Sequence, residues 1–333
     1  MKQNRNLILI LIPVSAALIY FILTRSNSTI KPKLRDFSVA DTGNVDKIFI
    51  ADKLNHTAEL TRSSSGVWMV NGKYLARQDA IINLLATLNK LAVKAPVANA
   101  MEQNVLKDLA GPLQKKVEVY AKGQLIKTIY VGGETLDKQG TFMLLENSSV
   151  PFEVHIPGHH GFLQTRFIAD ENLWRDQAVF AAQEKDIKSL TVRYNEHTEN
   201  SFTITKSEQG NLSVKESLSA GEADTLKLHQ YLAQYRRIVY EYIISESFQK
   251  SKKDSILRSK PFVEITLIER SGKSTNFKGY YRELNESDQE VLKESKLTYD
   301  PERLYGLIND KEFVLAQFFQ FDRILFTGRD FLK

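Results

Sequence analysis

Two stretches of this chain, LTRSSSGVWMV at residues 60 to 70 and ITKSEQGNLSV at 204 to 214, carry one plan. In each, an aliphatic residue, a threonine and a cation lead into a four-residue turn ending in glycine, and a valine follows four residues after that glycine. The two copies lie about 144 positions apart. Upstream, Val45, Ile48 and Ile50 of VDKIFI are answered by Ile187, Leu190 and Val192 of IKSLTV. Downstream, VEVY at 117 to 120 is answered by VEIT at 263 to 266. Alternating strands resemble one another by chance, but collinear matches at one spacing are the mark of a duplicated unit. Length agrees, because 333 residues exceed what one core usually organises. The expected organisation is a first unit over 45–180 and a second over 181–333.

Each unit reads in the same order. Strands come first, at 45 to 70 and 187 to 215, with turns at SSSG and SEQG where Gly66 and Gly210 supply left-handed backbone without steric cost. Trp68 and Leu212 are expected to point into equivalent cores. A helix follows: Ile81, Leu84, Leu85, Leu88 and Leu91 of DAIINLLATLNKLAVKA share one face, as do Leu228, Tyr231, Leu232, Tyr235 and Ile238. Then come a short helical piece (MEQNVLKDLAG; SFQKSKKDSILR), strands at 117 to 131 and 262 to 279, a further strand at 141 to 145 or near 297, and a closing aromatic segment. Strands grouped around one main helix predict an α+β fold with mainly antiparallel sheet in both units.

Ahead of the units, residues 7 to 23 (LILILIPVSAALIYFIL) carry no charge and are bounded by Arg5 and Arg25. At 1.5 Å per helical residue the run nearly crosses a ~30 Å hydrocarbon layer. It is therefore read as an N-terminal transmembrane signal-anchor over 1–25, followed by a polar stalk over 26–44. A cleaved signal peptide is the rival, but its apolar part is normally ~7 to 15 residues long and ends at small residues, whereas LTRSNS is a poor cleavage site. Positive charge flanks both ends. The main body is placed outside a bacterial cytoplasmic membrane, as a single-pass periplasmic domain, because long domains translocate with little regard to flanking charge. No cysteine is present, so neither a lipidated cysteine nor a disulfide framework enters.

The anchor, the opening strand DKIFI, the hairpin ELTRSSSGVWMV with Trp68, the helix INLLATLNKLAVKA, the LAGPL segment before a strand and the LWRDQAVF...DIKSLTV junction together resemble the bacterial domain-of-unknown-function family 4340. The resemblance covers most of residues 40 to 333. It implies a membrane-tethered envelope protein and, as partner, an ABC-type transport system of the gliding-motility kind. It brings no catalytic residues with it.

The residues themselves point away from catalysis. There is no cysteine nucleophile, and no GxSxG elbow, GxxxxGK[ST] phosphate loop, HExxH zinc helix or GxGxxG cofactor loop occurs. YVGGET is read as a tight turn rather than an anion cradle. The weak metal candidate is His155, His159 and His160 in VHIPGHHG, a strand residue and two loop residues that supply part of a zinc set but no carboxylate at a convincing spacing. The matching second-unit region is taken to be LYGLIND, which keeps none of them. Glu118 and Glu264 are read as solvent-face residues of matching strands. A net charge of +5 makes no case for nucleic acid. The basic cluster Lys250, Lys252, Lys253, Arg258 and Lys260 reads as a solvated face, and Phe313, Phe318, Phe319, Phe321 and Phe326 as a closing core element. The expected protein is thus a non-catalytic envelope module without cofactor that binds a partner protein and serves as accessory to a transport or motility-related ABC-type system. The alternative is a metal-dependent envelope hydrolase.

Overall fold

The computed structural model describes residues 32–216, 223–244, 248, 250–284 and 298–331. The run 7–23 and the first part of the stalk lie outside the described residues. No helix among the described residues is long and apolar enough to cross a membrane. The chain divides into two compact units between Arg175 and Asp176. That is a little earlier than the junction near 180, because Ala178–Phe180 pairs with Ile238–Val239 of the second unit.

The first unit contains β1 (Val45–Asp52), β2 (Thr57–Arg62), β3 (Trp68–Val70), β4 (Tyr74–Leu75), helix α1 (Gln78–Lys90), β5 (Ala92–Pro96), helix α2 (Asn99–Leu109), β6 (Lys115–Ala121), β7 (Gln124–Glu134), β8 (Thr141–Leu145) and β9 (Phe152–His155). The strands form one antiparallel sheet in the order β4-β3-β2-β1-β6-β7-β8-β9-β5. On β1, Val45, Ile48 and Ile50 all point into the core. A spacing of three residues does not fit a period of two, and the β1–β6 pairing resolves it with a register shift between Val45 and Lys47. Helix α1 lays Ile81, Leu84 and Leu88 against this face, where they meet Leu60, Val117 and Ile129. Each such side chain contributes roughly 1.5 to 3 kcal/mol when fully buried. Helix α2 covers the other face, with Val105 and Leu109 against Phe142. The closing segment returns to the start of α1: Arg77 N–H donates to the Trp174 carbonyl at 2.8 Å, and Trp174 Nε1 donates to the Ile168 carbonyl at 2.8 Å.

Helix α1 is shorter than its apolar stripe. Leu91 already has extended backbone, and Ala92–Pro96 is strand β5, paired with β9. Pro96 has no N–H for a helical bond and biases the preceding residue toward extended backbone.

The second unit contains β10 (Ala178–Phe180), β11 (Ile187–Tyr194), β12 (Phe202–Lys206), β13 (Leu212–Glu216), helix α3 (Thr225–Ala233), β14 (Ile238–Val239), β15 (Tyr242–Ile243), helix α4 (Lys250–Arg258), β16 (Val263–Glu269), β17 (Ser274–Tyr281), β18 (Arg303–Ile308), β19 (Glu312–Gln317) and the one-turn helix α5 (Phe318–Phe321). Its main sheet runs β13-β12-β11-β16-β17-β18-β19-β15. Replacing each strand by its first-unit counterpart gives the first sheet without β4. The duplicated architecture read from the hairpins therefore holds strand by strand. The strand expected near 297 lies later, at 303–308; residue 297 is outside the described residues.

The two opening turns match atom by atom. Gly66 has φ +82° and Gly210 φ +89°. Ser63 N–H donates to the Val67 carbonyl at 2.8 Å, and Ser207 N–H to the Asn211 carbonyl at 2.9 Å. The hydroxyls of Ser63 and Ser207 each accept from the backbone N–H four residues on, both at 3.1 Å. The bulge is repeated too, between Ile187 and Ser189. The hairpins differ in their cores. Trp68 is buried and Leu212 only half-buried, because β3 is flanked by β4 whereas β13 ends its sheet.

Two other correspondences are corrected. Ile50 faces Val117 while Val192 faces Ile265, so Val117 matches Ile265, and Glu118 matches Thr266 instead of Glu264. The two-residue slip leaves both glutamates on the face away from the main core. VHIPGHHG begins in β9, whose counterpart is β19, so LYGLIND in β18 instead corresponds to TFMLL in β8.

Candidate functional site

The outer face of the first unit carries a cleft of about 420 Å³ beside the C-terminal end of α2. Leu106 and Leu109 of α2, with Leu144 of β8 and the Tyr130 ring of β7, make its apolar floor; Lys53, Lys115 and Lys116 stand at its rim. The floor exists because the sheet lets α2 approach. A Cβ on Gly132 would lie 2.8 Å from Leu109 Cδ2 and 2.9 Å from the Phe142 carbonyl oxygen, so only glycine fits beneath the helix. Gly132 and Gly133 thus lie within strand β7, at a register shift between Val131 and Glu134, and not in the turn that YVGGET suggested. At the end of α2, Gly111 N–H donates to the Asp108 carbonyl at 2.7 Å. Lys53 Nζ donates to the Ala110 carbonyl, placing a cation where the last helical carbonyls gather negative charge.

The rim is internally braced. Asp52 accepts from Leu54 N–H at 2.9 Å, His56 N–H at 3.1 Å and His56 Nδ1 at 3.0 Å, and lies 3.6 Å from Lys115 Nζ. Burial works to raise the Asp52 pKa, but the hydrogen bonds from His56 and Leu54 outweigh it and hold the carboxyl below its ordinary value. A depressed folded pKa contributes stability above the unfolded value of about 3.9, and that contribution is lost as pH falls through the folded value. Lys115 Nζ also donates to the Leu113 carbonyl at 2.6 Å. Lys116 pairs with Glu118 at 2.7 Å, which raises the lysine pKa and lowers that of the glutamate; Glu118 also accepts from the Tyr120 hydroxyl at 2.7 Å. Titratable groups on the cleft wall are Asp52, the three lysines and Tyr130. An apolar floor under a cationic rim suits binding of an apolar group with an acidic neighbour.

The three histidines make different contacts. His155 ends β9 opposite Ala92. His159 N–H closes a turn on the Ile156 carbonyl at 2.9 Å, between Gly158 at φ +77° and Gly161 at φ +112°. His160 Nδ1 lies 3.1 Å from Gln139 Oε1. Among the described residues, no group of three or more His, Cys, Asp or Glu side chains is arranged to hold a metal ion. Replacing His155, His159 and His160 together by Ala is expected to leave the thermal midpoint and metal content of the purified protein unchanged. Stoichiometric zinc that disappears in the triple variant would defeat this.

Of the aromatic tail, Phe313 and Phe321 are buried as a closing core element, but Phe319 and Phe326 are exposed. The basic cluster lies on and just after α4, with Ile256 and Leu257 packed against Tyr280, Tyr305 and Phe313, and Lys253 Nζ 5.6 Å over the Phe313 ring. Sequence reasoning missed the cleft. Its signal was LKDLAG, ending at Gly111, followed 21 residues later by the first of the paired glycines, a helix end and the strand position that receives it.

Repeated antiparallel sheets, each with helices on both faces, define a two-unit α+β protein. The family model described as domain of unknown function (DUF4340) matches residues 68–257, more than half of the chain. The chain belongs to that family. No curated protein and no solved structure matches it.

Proposed function

We propose that the chain is a membrane-anchored, non-catalytic envelope protein whose first unit binds a partner at the cleft beside α2. The observation that carries the binding reading is the cleft itself, with its apolar floor and lysine rim; Leu113, 61% exposed, lies in the chain between the lining residues Gly111 and Gln114. Its ionisable groups are committed to ion pairs and helix-end contacts, an arrangement suited to holding a ligand. The tether rests on the charge-free run 7 to 23. The partner proposed is a subunit of an ABC-type transport or motility-related system in a bacterial cytoplasmic membrane, with the units on the periplasmic side. The hydrolase alternative gains nothing from the geometry, since His160 turns to Gln139.

The tether is tested first. The full chain is expected to stay with membranes through salt and alkaline washes, with its N-terminus intact. A mature protein that starts after residue 23 would sink the anchor. A photo-crosslinker replacing Leu113 should then capture a transporter subunit in cells, and the same group replacing Leu136, on another loop of this unit, should not. Equal capture from both positions would remove the cleft from the interface.

A further inference from the structure

Sheets rarely leave two adjacent large aliphatic residues in water, yet Leu125 and Ile126 are 52% and 46% exposed at the start of β7. The cause is local. Tyr120 pairs with Leu125 and Val119 with Lys127, so Ile126 is the extra residue of a bulge. A bulge interrupts the alternation of faces, and here both side chains line one shallow depression of about 470 Å³. Lys33 lies on the same depression, and Lys122 and Arg35 are exposed nearby in sequence.

The acidic groups of this depression are already engaged. Asp36 lies 3.3 Å from Lys127 Nζ and accepts from the Ser38 hydroxyl at 3.0 Å; Glu146 accepts from the Tyr130 hydroxyl at 2.8 Å. Lys127 Nζ also donates to the Asp36 and Ser38 carbonyls, which ties the chain before β1 to the start of β7. Among the described residues nearby, Lys33, Arg35 and Lys122 are exposed, and the half-buried Asp46 accepts from Gly123 N–H at 2.7 Å. An aliphatic pair with Lys33 on the same depression, and Arg35 and Lys122 close by in the sequence, has the chemistry of a surface that rests on anionic lipid.

Chain connectivity selects the lipid surface as the occupant. Lys33 borders the depression, and roughly ten residues separate it from Leu23 at the end of the charge-free run. At 3.3 to 3.6 Å per residue, that length spans at most about 33 to 36 Å. On the anchor reading of residues 7 to 23, the depression is therefore held within that distance of the bilayer.

We propose that Leu125 and Ile126, flanked by Lys33, Arg35 and Lys122, form a membrane-contact surface that seats the first unit on anionic lipid. This rests on the anchor reading of residues 7 to 23. The contact fixes which end of the β-sheet lies at the bilayer and which faces away.

The absence of cysteine makes the test clean. Full-length Leu125→Cys, Ile126→Cys and Leu136→Cys variants, each labelled with an environment-sensitive fluorophore, are reconstituted into phosphatidylglycerol-containing vesicles that carry a head-group quencher. Leu136 is 84% exposed just past the opposite end of β7, with about 30 Å of strand between Leu125 and that end. Labels at 125 and 126 should be quenched several-fold more strongly than the label at 136, and the difference should shrink in purely zwitterionic vesicles. Chains that float with the vesicles but show equal quenching at all three positions would overturn the lipid contact and leave the anchor standing. Chains that do not float with vesicles would overturn both.

Discussion

Trp68→Ala should lower the thermal midpoint of the first unit by roughly 6 °C or more. The indole is only 4% exposed and belongs to the cluster that joins β1, β2 and β3 to α1. Truncating a buried tryptophan costs about 3 to 5 kcal/mol, a large part of the ~5 to 15 kcal/mol that holds an ordinary domain. In a unit of this size each kcal/mol moves the midpoint by about 2 to 8 °C. The loss extends beyond the side chain's own contacts: the Trp68 carbonyl accepts from Ala76 N–H at 2.9 Å, so a cavity at Trp68 loosens the entry to α1. The measurement has a built-in reporter. The chain has two tryptophans, and the other, Trp174, is buried in the same unit, so Trp174 fluorescence follows the first unit alone. An unchanged Trp174 transition accompanied by lost partner binding would recast Trp68 as a recognition residue.

The repeat was legible because turns and strand faces are local. SSSG and SEQG each fix a turn through one glycine and one serine hydroxyl, and those residues stand in the sequence in plain view. The spacing of Val45, Ile48 and Ile50, repeated in Ile187, Leu190 and Val192, even contained the bulge, since three buried residues at intervals of three and two require an extra residue on the strand. The end of α1 was not legible in the same way. LAVKA continues an apolar stripe, and only its pairing with β9, far along the chain, makes it a strand. Pairing across strands also decided which glutamates correspond: VEVY and VEIT look alike, but register is set by neighbours, and it slipped the match by two residues.

The cleft was hidden for a related reason. None of Leu106, Leu109, Leu144 and Lys115 is unusual where it stands, and only the approach of α2 over Gly132 gathers them. The second unit uses the equivalent face differently. There α4 meets Tyr280, Tyr305 and Phe313, with the Tyr305 and Phe313 rings stacked at 5.3 Å and the Phe248 ring 6.0 Å from that of Tyr305. Aromatic bulk takes the place that Val105, Leu109 and Phe142 hold in the first unit. One architecture thus carries two different outer faces, which is why the binding proposal is confined to the first unit.

Gly306→Val should unfold the second unit more readily than any surface change of similar size. Gly306 of β18 sits directly opposite Gly279 of β17, a pair of glycines in the middle of a sheet where strand propensity disfavours both. The reason at Gly306 is the ring of Phe277, and at Gly279 the side chains of Val263 and Phe262. A Cβ on Gly306 would press on that ring, within 3.0 Å of both Phe277 Cζ and Val314 Cγ2, and one on Gly279 would lie 2.9 Å from Val263 Cγ1. Phe277 cannot retreat without cost, because it is fully buried and its ring is stacked at 4.5 Å on that of Phe321. Overpacking of this kind typically costs about 1 to 3 kcal/mol. Neither tryptophan lies in this unit, so the readout is amide hydrogen exchange in β17 and β18, which should accelerate by roughly 5- to 150-fold for that loss in stability. Phe277→Leu should itself destabilise by removing the ring, yet combined with Gly306→Val it should recover part of the loss, giving a favourable coupling between the two sites. Unchanged exchange in Gly306→Val, or strictly additive losses in the double variant, would show that Gly306 does not exist to house the Phe277 ring.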